Sequence, residues 1–317
     1  MSKYVVTGGM GFIGSHLVET LSKEDGAHVI VLDNLTHNAI TPEELCADKK
    51  NVEYYWLDIR DHNIREIIRG ADVVFHLAAQ INIDNSIINP NDTIDINVNG
   101  TLNVLETCRI YKVPKVVFAS SSEIYGTALT DKMDESHPLD PQSPYGATKV
   151  FGDRLCHAYN EAYGMNIAIL RNFNVFGPRQ RYTRAGDCYG AVIGIFTDLI
   201  LRGKSPIIFG DGEQRRDYQY VSDAVDGYLL CVEKDIIGPV VVGTGVDISI
   251  NDIALTLIDI CGKKGEIEPI HADARPGEVR RLCADTTLAR SYGFRSHTDL
   301  YNGLKAYVEW FKANVHS

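Results

Sequence analysis

From residue 4 to residue 171 the chain repeats one unit: a short β-branched run, a turn, then apolar positions at helical spacing. Parallel strands need a long crossover between them and a helix supplies it, so this alternation writes a parallel sheet with helices on its faces. The pattern predicts strands over 4–7, 28–32, 52–57, 73–77, 116–120 and 166–171, with helices over 13–22, 64–69, 93–110 and 145–163. The fold class is α/β, a doubly wound parallel sheet of the kind that holds nucleotides at its carboxyl ends. Beyond residue 171 the alternation breaks into Gly-, Pro- and Arg-rich loops, with isolated helices over 191–201 and 221–232. We therefore expect a nucleotide-binding domain over 1–171 and a smaller, irregular substrate lobe over 172–317, the helix near 221–232 packing back on the first domain. With no internal repeat and no low-complexity linker, the two are expected to share a packed interface.

The 42 acidic and 31 basic residues leave a net charge of -11. That sign excludes a protein that grips nucleic acid through its phosphates, and an anionic substrate would have to be met by locally gathered arginines. No run approaches the roughly 18 apolar residues of a membrane helix. Met1-Ser2-Lys3 leads straight into the first strand, so a cytoplasmic protein is expected. The seven cysteines (46, 108, 156, 188, 231, 261, 283) show no Cys-x-x-Cys spacing and no paired histidine, so they read as reduced, buried small hydrophobes and no metal is expected.

The first strand runs into Thr7-Gly8-Gly9-Met10-Gly11-Phe12-Ile13-Gly14, with Gly8, Gly11 and Gly14 three apart. Here the backbone must turn tightly, approach a pyrophosphate and let a helix pack on the strand; the amides of Phe12 and Ile13 then face the phosphates. Asp33 closes the second strand nineteen residues past Gly14, where an acid accepts hydrogen bonds from an adenosine ribose and repels a 2′-phosphate, favouring NAD over NADP. Asn34 follows it in the same loop. Asp58-Ile59 is placed to hold the adenine or, equally, to cap a helix; Leu77-Ala78-Ala79-Gln80 ends the fourth strand with small residues, as a backbone passing close to a cofactor requires.

Ser120-Ser121-Ser122-Glu123 ends the fifth strand, and Pro144-Tyr145-Gly146-Ala147-Thr148-Lys149 opens a helix. Tyr145 and Lys149 stand one turn apart on one face. An ammonium beside a phenol favours the phenolate, which turns a group of reference pKa about 10 into a base near neutrality. Ser121 could hold the substrate hydroxyl whose proton Tyr145 removes while hydride leaves for the nicotinamide.

With these residues in order, the chain resembles the extended short-chain dehydrogenase/reductases that act on nucleotide sugars, a Rossmann-fold family, from Thr7-Gly8-Gly9 to Ala284-Asp285. The resemblance implies that Ser121, Tyr145 and Lys149 are the catalytic Ser/Thr, Tyr and Lys, that Asn97 supports the cofactor side, and that hydride passes from the sugar, usually at C4, to tightly held NAD. It places Ser122 and Asn174 against the substrate and the stretch through Pro178 along the nicotinamide. It also gives weight to Arg216 and Arg275 as guanidinium forks converging on one diphosphate. Arg179, Arg181 and Arg184 form a basic loop whose use stays open, and Leu282 is read as a border of the sugar pocket.

After a 4-keto sugar forms, an epimerase needs no further acid or base, whereas a 4,6-dehydratase needs a base at C5. Glu123 stands where such a base would stand, or near a carboxylate carbon as in uronate decarboxylases, or is a structural residue bonded to nearby backbone. The runs Asp211-Gly212-Glu213-Gln214-Arg215-Arg216-Asp217-Tyr218 and Arg275-Pro276-Gly277-Glu278 look most like UDP-hexose 4-epimerases. The leading expectation is thus an NDP-hexose 4-epimerase, with the 4,6-dehydratase, a C4 dehydrogenase, a uronate decarboxylase and a non-catalytic NAD sensor as alternatives. The helices over 93–110 and 145–163 carry wide apolar stripes, Val98, Leu102, Leu105, Phe151, Leu155 and Tyr159 among them. The resemblance pairs these helices across a two-fold axis, so a homodimer is expected.

Overall fold

A computed structural model describes residues 2–180, 192–274 and 279–315; Arg181, Arg184, Cys188 and Arg275 lie outside them. Six strands arise from the β-branched runs: β1 Ser2–Thr7, β2 Ala27–Asp33, β3 Val52–Trp56, β4 Val73–His76, β5 Lys115–Ser121 and β6 Ile167–Asn172. They pair in the parallel order β3-β2-β1-β4-β5-β6, and a seventh strand, Gly238–Val242, adds beyond β6. Sequence patterning missed this last strand because Gly238-Pro239 begins it and only Val240-Val241-Val242 carries β-branching. The reversal of strand order between β1 and β4 opens a crevice at the carboxyl ends of the strands.

Alternation along each strand sends Val5, Ile30 and Val74 to one face and Val6, Val29, Val31 and Phe75 to the other. Helices Phe12–Leu21 and Val221–Glu233 cover the second face, the latter through Val225, Tyr228 and Cys231. Helices Thr101–Ile110 and Pro144–Tyr163 cover the first through Val104, Leu105, Cys156 and Tyr159. A separate core gathers helices Val192–Leu201, Ile250–Ile260 and Leu300–Asn314 around Phe196, Leu257 and Phe311. The six described cysteines are free, and no described helix is long and apolar enough to cross a membrane.

The helix expected over 93–110 is interrupted. Pro90–Ile94 and Thr101–Ile110 flank a π-helical turn, Asp95–Gly100. The extra residue in that turn brings Asn97 inward, a local feature that helical spacing alone does not disclose.

Candidate active site

A cavity of about 580 Å³ lies along the carboxyl ends of β1, β2, β4, β5 and β6. Its floor is the glycine loop. Gly8 has φ +72°, and a Cβ there would come within 2.6 Å of the Ala78 amide nitrogen, so the loop and the end of β4 touch backbone to backbone. A Cβ on Gly14 would collide with the Gly8 carbonyl. Gly11, Phe12 and Ile13 start the helix Phe12–Leu21 and line the cavity.

Asp33 is almost fully buried beside this loop, its carboxylate accepting the amides of Met10 at 3.0 Å and Leu35 at 2.8 Å. Burial pushes its pKa up and those amides pull it back. Asp58 caps no helix. Its carboxylate takes a fork from Arg60 and the Asn34 side-chain amide at 2.9 Å, and Arg60 above all holds it down at about 2. The lining here comes from Asn34, Asp58 and Ile59, and farther along from Leu77, Ala78, Ala79 and Gln80. Asn97 does not line the cavity. It stands behind the wall, accepting the Gln80 amide at 2.8 Å and donating to the Gln80 carbonyl at 2.9 Å and to Thr148 Oγ1 at 2.9 Å, which ties the end of β4 to the helix carrying Tyr145.

That helix, Pro144–Tyr163, starts where Ser143 accepts the Gly146 amide and Pro144 takes the first position, and it ends at Gly164 in the left-handed region. Tyr145 and Lys149 therefore fall in its first turns, against β5. The Lys149 Nζ donates to the Ala119 carbonyl at 3.0 Å and lies 5.9 Å from the Tyr145 ring centre. Burial lowers the Lys149 pKa to about 8. Burial pushes the Tyr145 phenol up, hydrogen bonding to Ser121 opposes it, and the charge of Glu123 pushes the same way as burial.

Ser121 accepts the Glu123 amide at 3.2 Å, and Ser121, Ser122 and Glu123 all line the cavity. The Glu123 carboxylate has no hydrogen-bond partner among the described residues, so the reading of a carboxylate bonded to nearby backbone is not met. Burial raises its pKa and Arg216 opposes. Arg216 does not line the cavity; it acts on Glu123 through charge, while its Nη1 donates to the Arg215 carbonyl at 2.9 Å. Asn174, in the left-handed region at φ 22°, donates to the Asp217 carbonyl at 3.1 Å and does line the cavity. Leu282 is a core residue packed with Tyr125 and Phe173 and borders no part of the cavity.

The NAD dependent epimerase/dehydratase family model matches residues 4–243. This chain belongs to that family. A Methanocaldococcus jannaschii protein provisionally named a UDP-glucose 4-epimerase is 42% identical, over 98% of each chain. The UDP-N-acetylglucosamine 4-epimerase of Methanobrevibacter ruminantium M1, solved with UDP-N-acetylmuramic acid, superposes with TM-score 0.92 at 33% identity over 99% of both chains. The dTDP-glucose 4,6-dehydratase of Streptomyces venezuelae, solved with NAD, gives TM-score 0.87 at 29% identity, over 98% of this chain and 97% of that one. The protein is thus an NAD-dependent extended short-chain dehydrogenase/reductase of the epimerase/dehydratase kind.

The cavity of this family member suits NAD chemically. Gln80 Oε1 and Asn172 Oδ1 are buried acceptors without partners among the described residues, on residues that line it, and they match a ligand rich in hydroxyl and carboxamide donors. Asn172 donates its amide to Tyr228 Oη at 2.9 Å. Neither Asn172 nor Tyr228 was singled out from the sequence. Asn172 faces Ser121 across β5 and β6, so its place at a strand end was a usable signal; Tyr228 arrives on the returning helix and left none.

Proposed function

We propose that this enzyme oxidises a nucleotide sugar at C4 and returns the hydride to the opposite face of the 4-keto sugar, acting as an NDP-hexose 4-epimerase. The observation that carries this reading is the meeting of Ser121, Tyr145 and Lys149 at the end of β5, on the wall of the cavity that begins at the glycine loop. Bound NAD supplies a hydride acceptor and donor. Ser121 orients the C4 hydroxyl and Tyr145 exchanges its proton. As the phenolate, Tyr145 takes the C4 hydroxyl proton while hydride leaves, and as the phenol so formed it gives that proton back to the C4 oxygen as hydride returns. Taking that proton in the first half requires the charge of Lys149, which a pKa of about 8 leaves protonated at neutrality. Asn174 contacts the sugar nucleotide.

A second reading rests on Glu123. A half-buried carboxylate without a hydrogen-bond partner among the described residues, its pKa raised by burial, is suited to take a C5 proton, which would make the enzyme a 4,6-dehydratase. The test is incubation with UDP-, GDP-, CDP- and dTDP-sugars, products being read by mass and chromatography. A new stereoisomer of unchanged mass is expected, at a rate that Glu123→Gln leaves in place and that Tyr145→Phe lowers about a hundred- to ten-thousandfold while NAD stays bound. Loss of water that disappears in Glu123→Gln overturns the epimerase in favour of the dehydratase. Loss of carbon dioxide, or of two hydrogens alone, overturns both.

A further inference from the structure

The loop that follows β6 does more than border the cavity. It crosses to the other half of the molecule and fastens onto the helix Phe12–Leu21, whose N-terminus faces the cavity. The Arg179 guanidinium donates to Glu19 Oε1 at 2.7 Å and to Ser15 Oγ at 3.3 Å. One residue earlier, His16 Nε2 donates to the Pro178 carbonyl at 3.0 Å. Glu19, His16 and Ser15 lie on successive positions of one helix surface, so the loop is held along more than a turn of it. At its far end Gln180 donates to the Val175 carbonyl at 3.0 Å, and its own carbonyl accepts Tyr307 Oη at 3.1 Å, from the helix Leu300–Asn314. Arg179 keeps its backbone at φ +71°, a region that L side chains avoid unless the surroundings hold them there. Arg179 and Gln180 line the same cavity as Gly11 and Phe12.

We propose that the Arg179–Glu19 pair is a latch that retains NAD: it closes the loop 177–180 over the cofactor helix, and the cofactor leaves only when the pair opens. Arg179 is in this role a positioning residue, acting through Glu19. The charge pair is partly buried, so it is screened less than a surface pair and its opening is correspondingly infrequent. Burial keeps His16 below the usual imidazole range, so at neutral pH it is uncharged and its single N–H is committed to Pro178. The proposal rests on NAD occupying this cavity and is independent of which sugar reaction follows. An enzyme that takes hydride from a sugar and gives it back gains from such a latch, because a cofactor lost in mid-reaction would strand the oxidised sugar.

The test measures the exchange of bound NAD for labelled NAD in the purified enzyme, alongside NAD content per chain. Wild type carrying no NAD would overturn the cofactor site itself and not merely the latch. With NAD bound, Glu19→Gln and Arg179→Gln are both expected to accelerate exchange about tenfold, the factor that follows from losing one charged hydrogen bond. The swapped pair Glu19→Arg with Arg179→Glu is expected to slow it again, which a general loosening of the fold would not do. Acceleration in Arg179→Gln with Glu19→Gln at the wild-type rate overturns the latch and makes Arg179 a direct partner of the cofactor's charge. Wild-type exchange in both single variants, or a swapped pair as fast as they are, overturns it as well.

Discussion

His76 shows at the scale of one residue how burial sets chemistry here. It is enclosed between Thr7 Oγ1, 2.8 Å from its Nδ1, and Thr101 Oγ1, 3.0 Å from its Nε2. Burial, and after it the charge of Lys149, hold its pKa down at about 3. In the unfolded chain the same imidazole titrates near about 6.5. Between those values the unfolded state binds a proton that the folded state refuses, so stability is lost as pH falls from about 6.5 toward 3, by up to about 1.4 kcal/mol per pH unit. Replacing His76 by Asn removes this contribution. Urea unfolding at about pH 7 and about pH 5 should show a smaller loss for the variant than for wild type; equal losses would refute the assignment. The same desolvation raises the phenol of Tyr145.

Among elements, the helix Pro144–Tyr163 is fixed to the sheet by a buried ion pair. Asp153, two turns beyond Tyr145, takes a fork from Arg171 of β6 at 2.8 and 2.9 Å, and Ser120 of β5 donates to the same carboxylate at 3.2 Å. Arg171 also donates to the Glu135 carbonyl at 2.8 Å and to Tyr125 Oη at 3.2 Å. Both side chains of the pair are 1% exposed. Arg171→Leu strands a buried carboxylate and should cost about 3–5 kcal/mol, whereas Asp153→Leu combined with Arg171→Leu should cost clearly less. Urea unfolding decides it, and a single variant within about 1 kcal/mol of wild type would show that the pair does not hold the helix. Sequence spacing located this helix to within a residue because Ser143, Pro144 and Gly164 mark its ends locally. It did not locate the π-helical turn, where Asn97 bonds to Gln80 and Thr148, residues distant in the chain.

For the whole molecule, the apolar stripes named from sequence divide in two. Leu105 and Tyr159 are buried within the chain, while Leu102 and Phe151 stay exposed, as do Ile94, Ile110 and Tyr163 on the same two helical segments. Large apolar side chains left exposed on two neighbouring helices suit an interface, and we propose that a second copy of the chain covers them. Light scattering at micromolar concentration should give the mass of two chains, and Leu102→Glu with Phe151→Glu should give one. A wild-type monomer would remove the proposal.

The residues that had to be legible locally were legible. The glycine loop, Asp33, the β/α alternation and the Ser121, Tyr145 and Lys149 spacing each express a constraint that acts within a few residues, on backbone close approach, strand patterning or one helical turn. What tertiary structure alone decided involves groups far apart in the chain. Examples are the Glu123 carboxylate opposed by the charge of Arg216, the acceptor of Asn172 fixed by Tyr228, the strand Gly238–Val242 returning to the sheet, and Arg179 reaching back to Glu19. Burial and charge at a site sum over everything that folds around it, and that sum is absent from any short stretch of sequence.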